Sequence, residues 1–294
     1  MEANLEKVRD LMRRSVLSSR MRAESLDLKN CLASGKMLRA RLALLIGPTV
    51  GTSPEIYLRA AAAIEMVHAA SLLHDDIVDG SQLRRNSPAF WTKNGVAGAI
   101  LLGDLLLCEA SELLREVGDT RLTDELMSRT TEMCRAEVEQ ELILRGAPQE
   151  WECSLDLARR KTGSLFAFAA FASGVGHTGL SNALREAGYL AGTAYQLSDD
   201  YLDAYGAESS SGKTLGLDSI RHKSTAMTAT GGGPQRILRQ IAASQSLAES
   251  NLSEWPAVQQ AWMKYWQQEL GPALSRNLGN DSKSILLKAM DTVE

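Results

Sequence analysis

Two short acidic clusters are the residues of this 294-residue chain best suited to chemistry. The first lies in LLHDDIVDG and the second in YQLSDDYLDAYG. Like charges one turn apart destabilise a helix, so their crowding calls for a functional reason. The six carboxylates belong to Asp75, Asp76, Asp79, Asp199, Asp200 and Asp203.

Each cluster ends a long apolar segment that the sequence predicts to be helical. Asp75 and Asp79 lie four residues apart and project from one helix face, whereas Asp76 sits about 100° round the axis. The second cluster repeats this arrangement. If the two helices pack side by side, six carboxylates face one cavity, where they cannot all ionise without a counter-charge. Because Mg²⁺ prefers a few carboxylates together with water and substrate phosphates, the pattern predicts Mg²⁺ and a phosphate-bearing ligand.

A single copy of this motif could equally be a solvated helix end, since short motifs match by chance. Two copies, each following a helix that reads as buried, favour the functional interpretation. An EF-hand is excluded because neither cluster has the alternating Asx residues, the glycine and the closing glutamate of that loop.

The elements that must position these clusters are helices. The chain has only seven prolines, its apolar residues recur at helical spacing, and no convincing strand alternation is present. None of the glycine- and proline-rich breaks resembles an interdomain linker, so we expect one all-α domain over residues 1–294. Helices 54–79 and 179–206 are apolar nearly all round, which predicts that they lie in the middle of a bundle. The predicted helices are 2–19, 36–50, 54–79, 93–116, 120–145, 151–173, 179–206, 234–253, 257–278 and 281–292.

The bulk composition excludes several classes of protein. The net charge is −4 and no basic block suggests a nucleic-acid partner. Four cysteines without a CxxC pair favour a reducing compartment. The N-terminus does not read as a signal peptide, and apolar runs such as VAGAILLGDLLL are interrupted by Asp104 and too short to span a bilayer. We therefore expect a soluble, cytoplasmic protein with no stable membrane anchor.

Basic residues accompany the acidic clusters along the chain. Any one of them, taken alone, is more often a surface charge than a ligand, but together they form an ordered set. The set consists of Lys36 and Arg39 in GKMLR, Arg84 and Arg85 after the first cluster, Lys161 in midchain, and Lys213 and Lys223 after the second cluster.

These motifs resemble those of the trans-polyprenyl diphosphate synthase family, over a stretch from about Gly35 to Lys223. The matching elements are GKMLR, EMVH, DDIVDGSQLRR, the Lys161-Thr162 pair, YQLSDDYLD and GKTLGLD. Met37 stands where many members have arginine, and the similarity fades after residue 225.

The resemblance implies a fold and a reaction. The fold is a bundle of antiparallel helices around a deep central cavity, usually in a homodimer. In the reaction an allylic diphosphate ionises, isopentenyl diphosphate attacks its C1 head-to-tail, and a proton is lost. The six aspartates would hold Mg²⁺, three ions when substrate is bound, on the allylic diphosphate.

The resemblance also assigns roles to the other residues. Arg84, Lys161, Gln196, Lys213 and Lys223 would contact the allylic diphosphate, and Lys36, Arg39, His68 and Arg85 the isopentenyl diphosphate. The departing diphosphate would accept the proton, with Thr162 and Gln196 beside it. His68 could instead be a core histidine, although its ExxH placement favours the binding role. We expect His74 to be structural and Tyr195 to pack rather than to stabilise a cation through its ring.

Product length in this family depends on the residues before the first acidic cluster. Ser71 and Ala70 lie four and five positions before Asp75, where farnesyl-type members carry an aromatic floor. Both are small, and one turn deeper only Met66 could obstruct a growing chain. The resemblance therefore implies a product of C20, geranylgeranyl diphosphate, or longer.

Three alternatives remain open at this point. A class I terpene cyclase shares the fold and the first acidic motif, but normally lacks the second DDxxD, the arginine pair and the GKxxR element. A non-catalytic subunit of a heteromeric prenyl synthase loses its metal ligands, whereas all six are present here. A purely structural bundle would bind neither Mg²⁺ nor a diphosphate.

Overall fold

The computed structural model describes residues 1–17, 32, 35–85, 87–205 and 225–279, and these residues are predominantly α-helical, which confirms the all-α prediction. They form eleven α-helices. In chain order these are α1 (Glu2–Val16), α2 (Leu38–Ile46), α3 (Pro54–Val78), α4 (Phe90–Arg115), α5 (Thr120–Val138), α6 (Trp151–Ala158), α7 (Ser164–Ser173), α8 (Thr178–Tyr205), α9 (Pro234–Asn251), α10 (Pro256–Tyr265) and α11 (Gly271–Leu278).

Local backbone chemistry shifts some predicted helix ends. The helix predicted from residue 36 begins at Leu38, because Met37 adopts a left-handed conformation with φ 46°. This helix was predicted to end at residue 50, but its last four residues, Gly47–Val50, form a 3₁₀ turn. α3 begins as predicted, since the Ser53 hydroxyl accepts a hydrogen bond from the Ile56 amide and Pro54 fits the first helical position. The helix predicted over 281–292 lies outside the described residues.

Three helices predicted as continuous contain π-helical turns. The predicted helices 120–145, 151–173 and 257–278 include π turns at Glu139–Ile143, Arg159–Gly163 and Trp266–Leu270. A π turn accommodates one extra residue and leaves the flanking apolar spacing helical, so the sequence pattern does not reveal it.

A small β-hairpin is the second departure from prediction. β1 (Leu83–Arg84) pairs antiparallel with β2 (Ser87–Pro88), although the sequence analysis expected no strand. Strands of two residues are too short for side chains to show an alternating pattern. The hairpin matters because it holds Arg84 next to the end of α3.

The centre of the bundle is formed by α3 and α8, as their apolar composition predicted. α3 packs against α1, α2, α4 and α7, and α8 packs against α7, α9 and α11. Every residue of α7 is buried. α7 and α8 approach closely at Gly188, where a methyl group would lie 2.6 Å from the Phe166 carbonyl oxygen. Buried apolar residues from Leu5 to Leu278 form one contiguous core, while a single domain over residues 1–294 stays a prediction.

Among the described residues, α3 is long and apolar enough to cross a membrane by length and composition. Of its most apolar window, 67% is buried inside the bundle. The core helix of a soluble protein has the same properties, so α3 by itself is weak evidence for a membrane span.

Candidate active site

A cavity of about 570 Å³ lies where α3 and α8 end, and both acidic clusters contribute to its wall. Asp75 and Asp79 line it from the α3 side, and Asp199 and Asp203 line it from α8. The two clusters, separated by more than a hundred residues of sequence, therefore meet at one site as predicted.

The middle aspartate of each cluster does not line this cavity. Asp76 is buried and accepts hydrogen bonds from the Arg84 guanidinium, one of them from Nε at 2.9 Å. Asp200 accepts from Gln196 Nε2 at 2.8 Å and from the Ala226 amide at 3.0 Å. The expectation that all six carboxylates face the cavity is thus corrected to four, because the middle residue is rotated about 100° from the shared face. The metal-binding roles of the six stay predictions.

Glu137 joins Asp75, Asp79, Asp199 and Asp203 as the fifth carboxylate of the acidic wall of the cavity, and sequence reasoning missed it. It lies near the end of α5, and its Oε1 is 2.7 Å from Lys161 Nζ. The pKa of Asp75 is raised to about 7, chiefly by burial and next by the nearby Glu137 carboxylate, whereas Lys161 opposes the shift. Glu137 stands in an ordinary amphipathic helix, so no local motif marked it. Only the folding of α5 against α3 brings it to the acidic wall.

The donor set of this wall fits a hard divalent cation held jointly with a phosphate ligand. No three His, Cys, Asp or Glu side chains of the described residues are grouped closely enough to hold a metal ion by themselves. Mg²⁺ characteristically completes its shell with water and substrate phosphate oxygens. The raised pKa of Asp75 indicates crowded carboxylates that a cation would neutralise. The side chains that would hold such an ion are Asp75, Asp79, Asp199 and Asp203, which line the cavity.

The shifted pKa of Asp75 predicts how stability depends on pH without metal. The folded pKa of about 7 lies above the ordinary value of 3.8, so the folded state binds more protons between these two values. The free energy of unfolding should therefore fall as pH rises from about 4 to 7, by at most about 4 kcal/mol from this group. Urea unfolding at several pH values in EDTA measures the slope. Asp75→Asn should flatten it, and an unchanged slope in that variant would contradict the assignment.

The basic wall of the cavity is built from two separate chain segments. Lys36 and Arg39 come from the GKMLR segment, and Arg85 comes from the hairpin. Gly35 packs directly on Arg85, since a methyl group at Gly35 would lie 2.6 Å from Arg85 Nη2. Arg39 is 7% exposed, and its guanidinium lies 4.7 Å from the Phe166 ring centroid. The predicted cations Lys36, Arg39 and Arg85 thus line one cavity.

His68 lines the cavity beside these cations. Burial lowers its pKa well below 6.5, and the charges of Arg39 and Arg85 lower it further, so the imidazole is neutral at pH 7. Glu65, the first residue of the ExxH motif, accepts a hydrogen bond from the Ala40 amide at 3.0 Å. The GKMLR and ExxH motifs are therefore in direct contact. A neutral imidazole can donate one hydrogen bond and accept another.

Lys161, Thr162, Tyr195 and Gln196 also line the cavity, in addition to the acidic and basic walls. Lys161 and Thr162 lie in the π turn Arg159–Gly163, and the Thr162 hydroxyl donates to Gln196 Oε1. π turns recur at functional sites because they re-aim side chains within a helix. Tyr195 packs near Phe166, with ring centroids 6.1 Å apart, but it also lines the cavity, with Lys36 Nζ 5.6 Å from its ring centroid, so its packing role stays a prediction. Lys213 and Lys223 lie outside the described residues.

Of the three predicted chain-length residues, the structure places one on the cavity wall and two in the core. Ser71 lines the cavity, and its hydroxyl donates to the His68 carbonyl at 2.9 Å. Ala70 and Met66 are fully buried in the core and do not line it. His74 faces α4, with Nε2 3.3 Å from the Ile100 carbonyl oxygen, as expected for a structural residue. Apolar lining residues that the sequence analysis did not name include Ala69, Leu72, Met133, Leu165 and Phe166.

Comparisons with known proteins identify the family of this chain. A family model described as Polyprenyl synthetase matches residues 24–255. The chain therefore belongs to the polyprenyl synthetase family, and its fold is the all-α isoprenoid synthase fold.

Individual relatives are similar over much of the chain. A short chain isoprenyl diphosphate synthase of Methanothermobacter thermautotrophicus is 35% identical over 202 residues, which is 66% of this chain and 62% of that protein. A farnesyl diphosphate synthase of Geobacillus stearothermophilus is 33% identical over 229 residues, covering 72% of this chain and 77% of that protein. The chain thus matches less than two thirds of the first relative's length.

A solved structure shows the same architecture over nearly the whole chain. It is a polyprenyl synthase from Caulobacter crescentus CB15, complexed with calcium and isoprenyl diphosphate. The two chains superpose with a TM-score of 0.72 and 28% identity, covering 99% of this chain and 94% of that one.

Proposed function

We propose that this protein is a Mg²⁺-dependent trans-prenyltransferase that condenses isopentenyl diphosphate with an allylic diphosphate. The observation that carries the proposal is the meeting of an acidic wall and a basic wall in one cavity. Four aspartates from two motifs lie on the first wall, and Lys36, Arg39 and Arg85 lie on the second. Such a cavity suits two diphosphates, one bound through metal and one bound through fixed cations.

The allylic diphosphate is assigned to the acidic wall. Mg²⁺ bound there would neutralise the negative charge that develops on the leaving diphosphate. Lys161 and Arg84 both line the cavity and both lower the pKa of Asp75, so they would act as fixed cations aimed at this charge. Lys161 is held by Glu137 and Gln140, and Arg84 by Asp76, so both are oriented before substrate arrives.

Isopentenyl diphosphate is assigned to the basic wall. Lys36, Arg39, Arg85 and the neutral His68 supply donors for its diphosphate. Between the two walls, Leu165 and Phe166 form an apolar surface that excludes water from the allylic cation. The Thr162–Gln196 pair lies at this junction, where a proton must leave the condensed product.

One assay tests the proposal against its rivals. Labelled isopentenyl diphosphate is incubated with each allylic starter and Mg²⁺, and the products are sized by chromatography. Condensation that EDTA abolishes supports the proposal. A hydrocarbon formed from geranylgeranyl diphosphate alone would support a terpene cyclase instead. No turnover until a second chain is added would support a subunit of a heteromeric synthase.

We propose a product of C20 or longer because the α3 residues before Asp75 are small. One relative is named a farnesyl diphosphate synthase, so support for the longer product comes from Ala70 and Ser71 of this chain. Replacing Ser71 with phenylalanine should shorten the product, since Ser71 lines the cavity and a ring there narrows it. Ala70→Phe should act in the same direction at a larger cost in stability, because Ala70 is fully buried. Folded variants that make a product of unchanged length would place the floor elsewhere.

We further propose a cytoplasmic homodimer without a nucleic-acid partner. The support is a set of exposed apolar side chains on α4 and α5, which a second copy would cover. These are Val96, Ile100, Leu101, Met127 and Val138, exposed by 44%, 42%, 68%, 51% and 54%. Sedimentation equilibrium measures the oligomer, and a monomer at micromolar concentration would overturn this proposal.

A further inference from the structure

Arg41 connects the basic wall to the C-terminal part of the chain. Its Nε donates to the Lys36 carbonyl oxygen at 2.9 Å. Its Nη1 donates to both carboxylate oxygens of Glu269, at 3.2 and 3.1 Å. Glu269 lies in the π turn Trp266–Leu270, and both side chains are largely shielded, with 21% and 19% exposure. A charge-assisted interaction in such a shielded place is stronger than a fully exposed ion pair.

The backbone that Arg41 holds is in an unfavourable conformation. Met37, directly after Lys36, has φ 46° and ψ 44°, a left-handed conformation that is uncommon for residues other than glycine. Such conformations persist only where contacts with the surrounding structure hold them in place. Arg41 supplies one tie, at the carbonyl just before Met37. Tyr265 supplies another, since its hydroxyl donates to the Leu38 carbonyl just after Met37 at 3.2 Å.

The restrained turn carries the two cations of the basic wall. Lys36 and Arg39 flank Met37 on either side and both line the cavity. Arg41 itself does not line it. A change in the turn would therefore move both cations together, whereas the acidic wall on α3 and α8 would keep its geometry. Displacements of about an ångström are enough to impair a site that depends on fixed donors.

We propose that Arg41, anchored on Glu269, is a positioning residue that holds the Lys36–Arg39 turn in the geometry required to bind isopentenyl diphosphate. This inference rests on the proposed function and adds to it a specific dependence of one substrate on the C-terminal region. It assigns no contact between Arg41 and substrate.

A weaker binding of isopentenyl diphosphate after loss of Arg41 could also come from the loss of its positive charge. Removing Arg41 and removing its partner Glu269 change the net charge in opposite directions, so the pair of substitutions separates a charge effect from a positioning effect. Arg41→Met removes a positive charge, which by simple electrostatics weakens binding of an anion. Glu269→Met removes a negative charge, which by the same reasoning strengthens it. Positioning predicts that both substitutions weaken binding. Arg41→Lys keeps the charge, but a lysine ammonium lacks the planar fork by which the guanidinium donates to both the Lys36 carbonyl and the Glu269 carboxylate. This variant should therefore also weaken binding.

The experiment measures binding of isopentenyl diphosphate alone by calorimetry, since no reaction occurs without an allylic partner. We expect Kd to rise about tenfold in Arg41→Met and Glu269→Met, the size of losing one hydrogen bond to a charged group. In steady-state assays KM for isopentenyl diphosphate should rise while KM for the allylic diphosphate stays unchanged. The matched control is Arg59→Met, because Arg59 is also 21% exposed and pairs with Glu116 away from the cavity.

The outcomes distinguish this inference from the proposed function. If the wild-type protein binds isopentenyl diphosphate and both variants bind it equally well, the positioning role is overturned and the function stands. Tighter binding by Glu269→Met would also overturn it, in favour of a charge effect. Parallel rises in KM for both substrates would show a general structural role instead. If the wild-type protein itself fails to bind isopentenyl diphosphate, the proposed function falls and the inference with it.

Discussion

Replacing Asp75 with asparagine is expected to reduce turnover about a thousandfold or more, without rescue by added Mg²⁺. Asp75 is on the cavity wall, and its carboxylate is placed among Asp79, Glu137 and Lys161. Asparagine keeps the shape but removes the negative charge that would attract the cation. The measurement is kcat as a function of Mg²⁺ concentration with saturating substrates. Near-normal turnover would remove Asp75 from the metal site.

Asp76→Asn is the matched control for this prediction. The side chain is adjacent in sequence and of the same type, but it is buried against Arg84 and does not line the cavity. Its replacement should weaken the hold on Arg84 and raise KM for the allylic diphosphate, while leaving the Mg²⁺ dependence of turnover close to that of the wild type. Equal losses of kcat in Asp75→Asn and Asp76→Asn would contradict the different roles that we infer for the two carboxylates.

Replacing Gly188 with alanine is expected to destabilise the protein by about 1–3 kcal/mol. The added methyl group would lie 2.6 Å from the Phe166 carbonyl oxygen and 2.7 Å from the Ala167 Cα atom. These are backbone atoms, so α7 and α8 must move apart. For a large domain this corresponds to a fall in Tm of roughly 2–4 °C for each kcal/mol. Differential scanning calorimetry measures it.

Gly179→Ala is the control on the same helix. Among the residues that the structure describes, a methyl group there would meet only the Trp255 ring, at 3.7 Å, which is an ordinary contact. Alanine also restricts the unfolded chain more than glycine does, so Tm should stay the same or rise slightly. If Gly188→Ala were as stable as Gly179→Ala, the close approach of α7 and α8 would be wrong.

The sequence predicted the helical class, the central position of α3 and α8, and the meeting of the two acidic clusters. These features follow from apolar periodicity and from the fixed spacing of Asp75 and Asp79 on one helix face. The family resemblance assigned Lys36, Arg39, His68 and Arg85 to one ligand, and all four line one cavity, while their binding role stays a prediction. Each of these predictions rests on a pattern contained within a short segment.

The features that the sequence did not predict depend on distant parts of the chain. Glu137 joins the acidic wall only because α5 packs beside α3, and nothing around it in the sequence marks it. Asp200 turns to bind the Ala226 amide, a partner 26 residues away. The link from Arg41 to Glu269 spans 228 residues. Long-range contacts of this kind cannot be read from local periodicity.

The π turn at Arg159–Gly163 has a consequence for how this protein can tolerate changes in chain length. Because such a turn stores one surplus residue, deleting a residue within it would restore a regular helix while leaving α6 and α7 in their packed positions. The deletion would nevertheless swing Lys161 and Thr162 around the helix axis by about 100°. A single-codon loss at this point is therefore expected to spare the fold and to misplace two cavity residues at once.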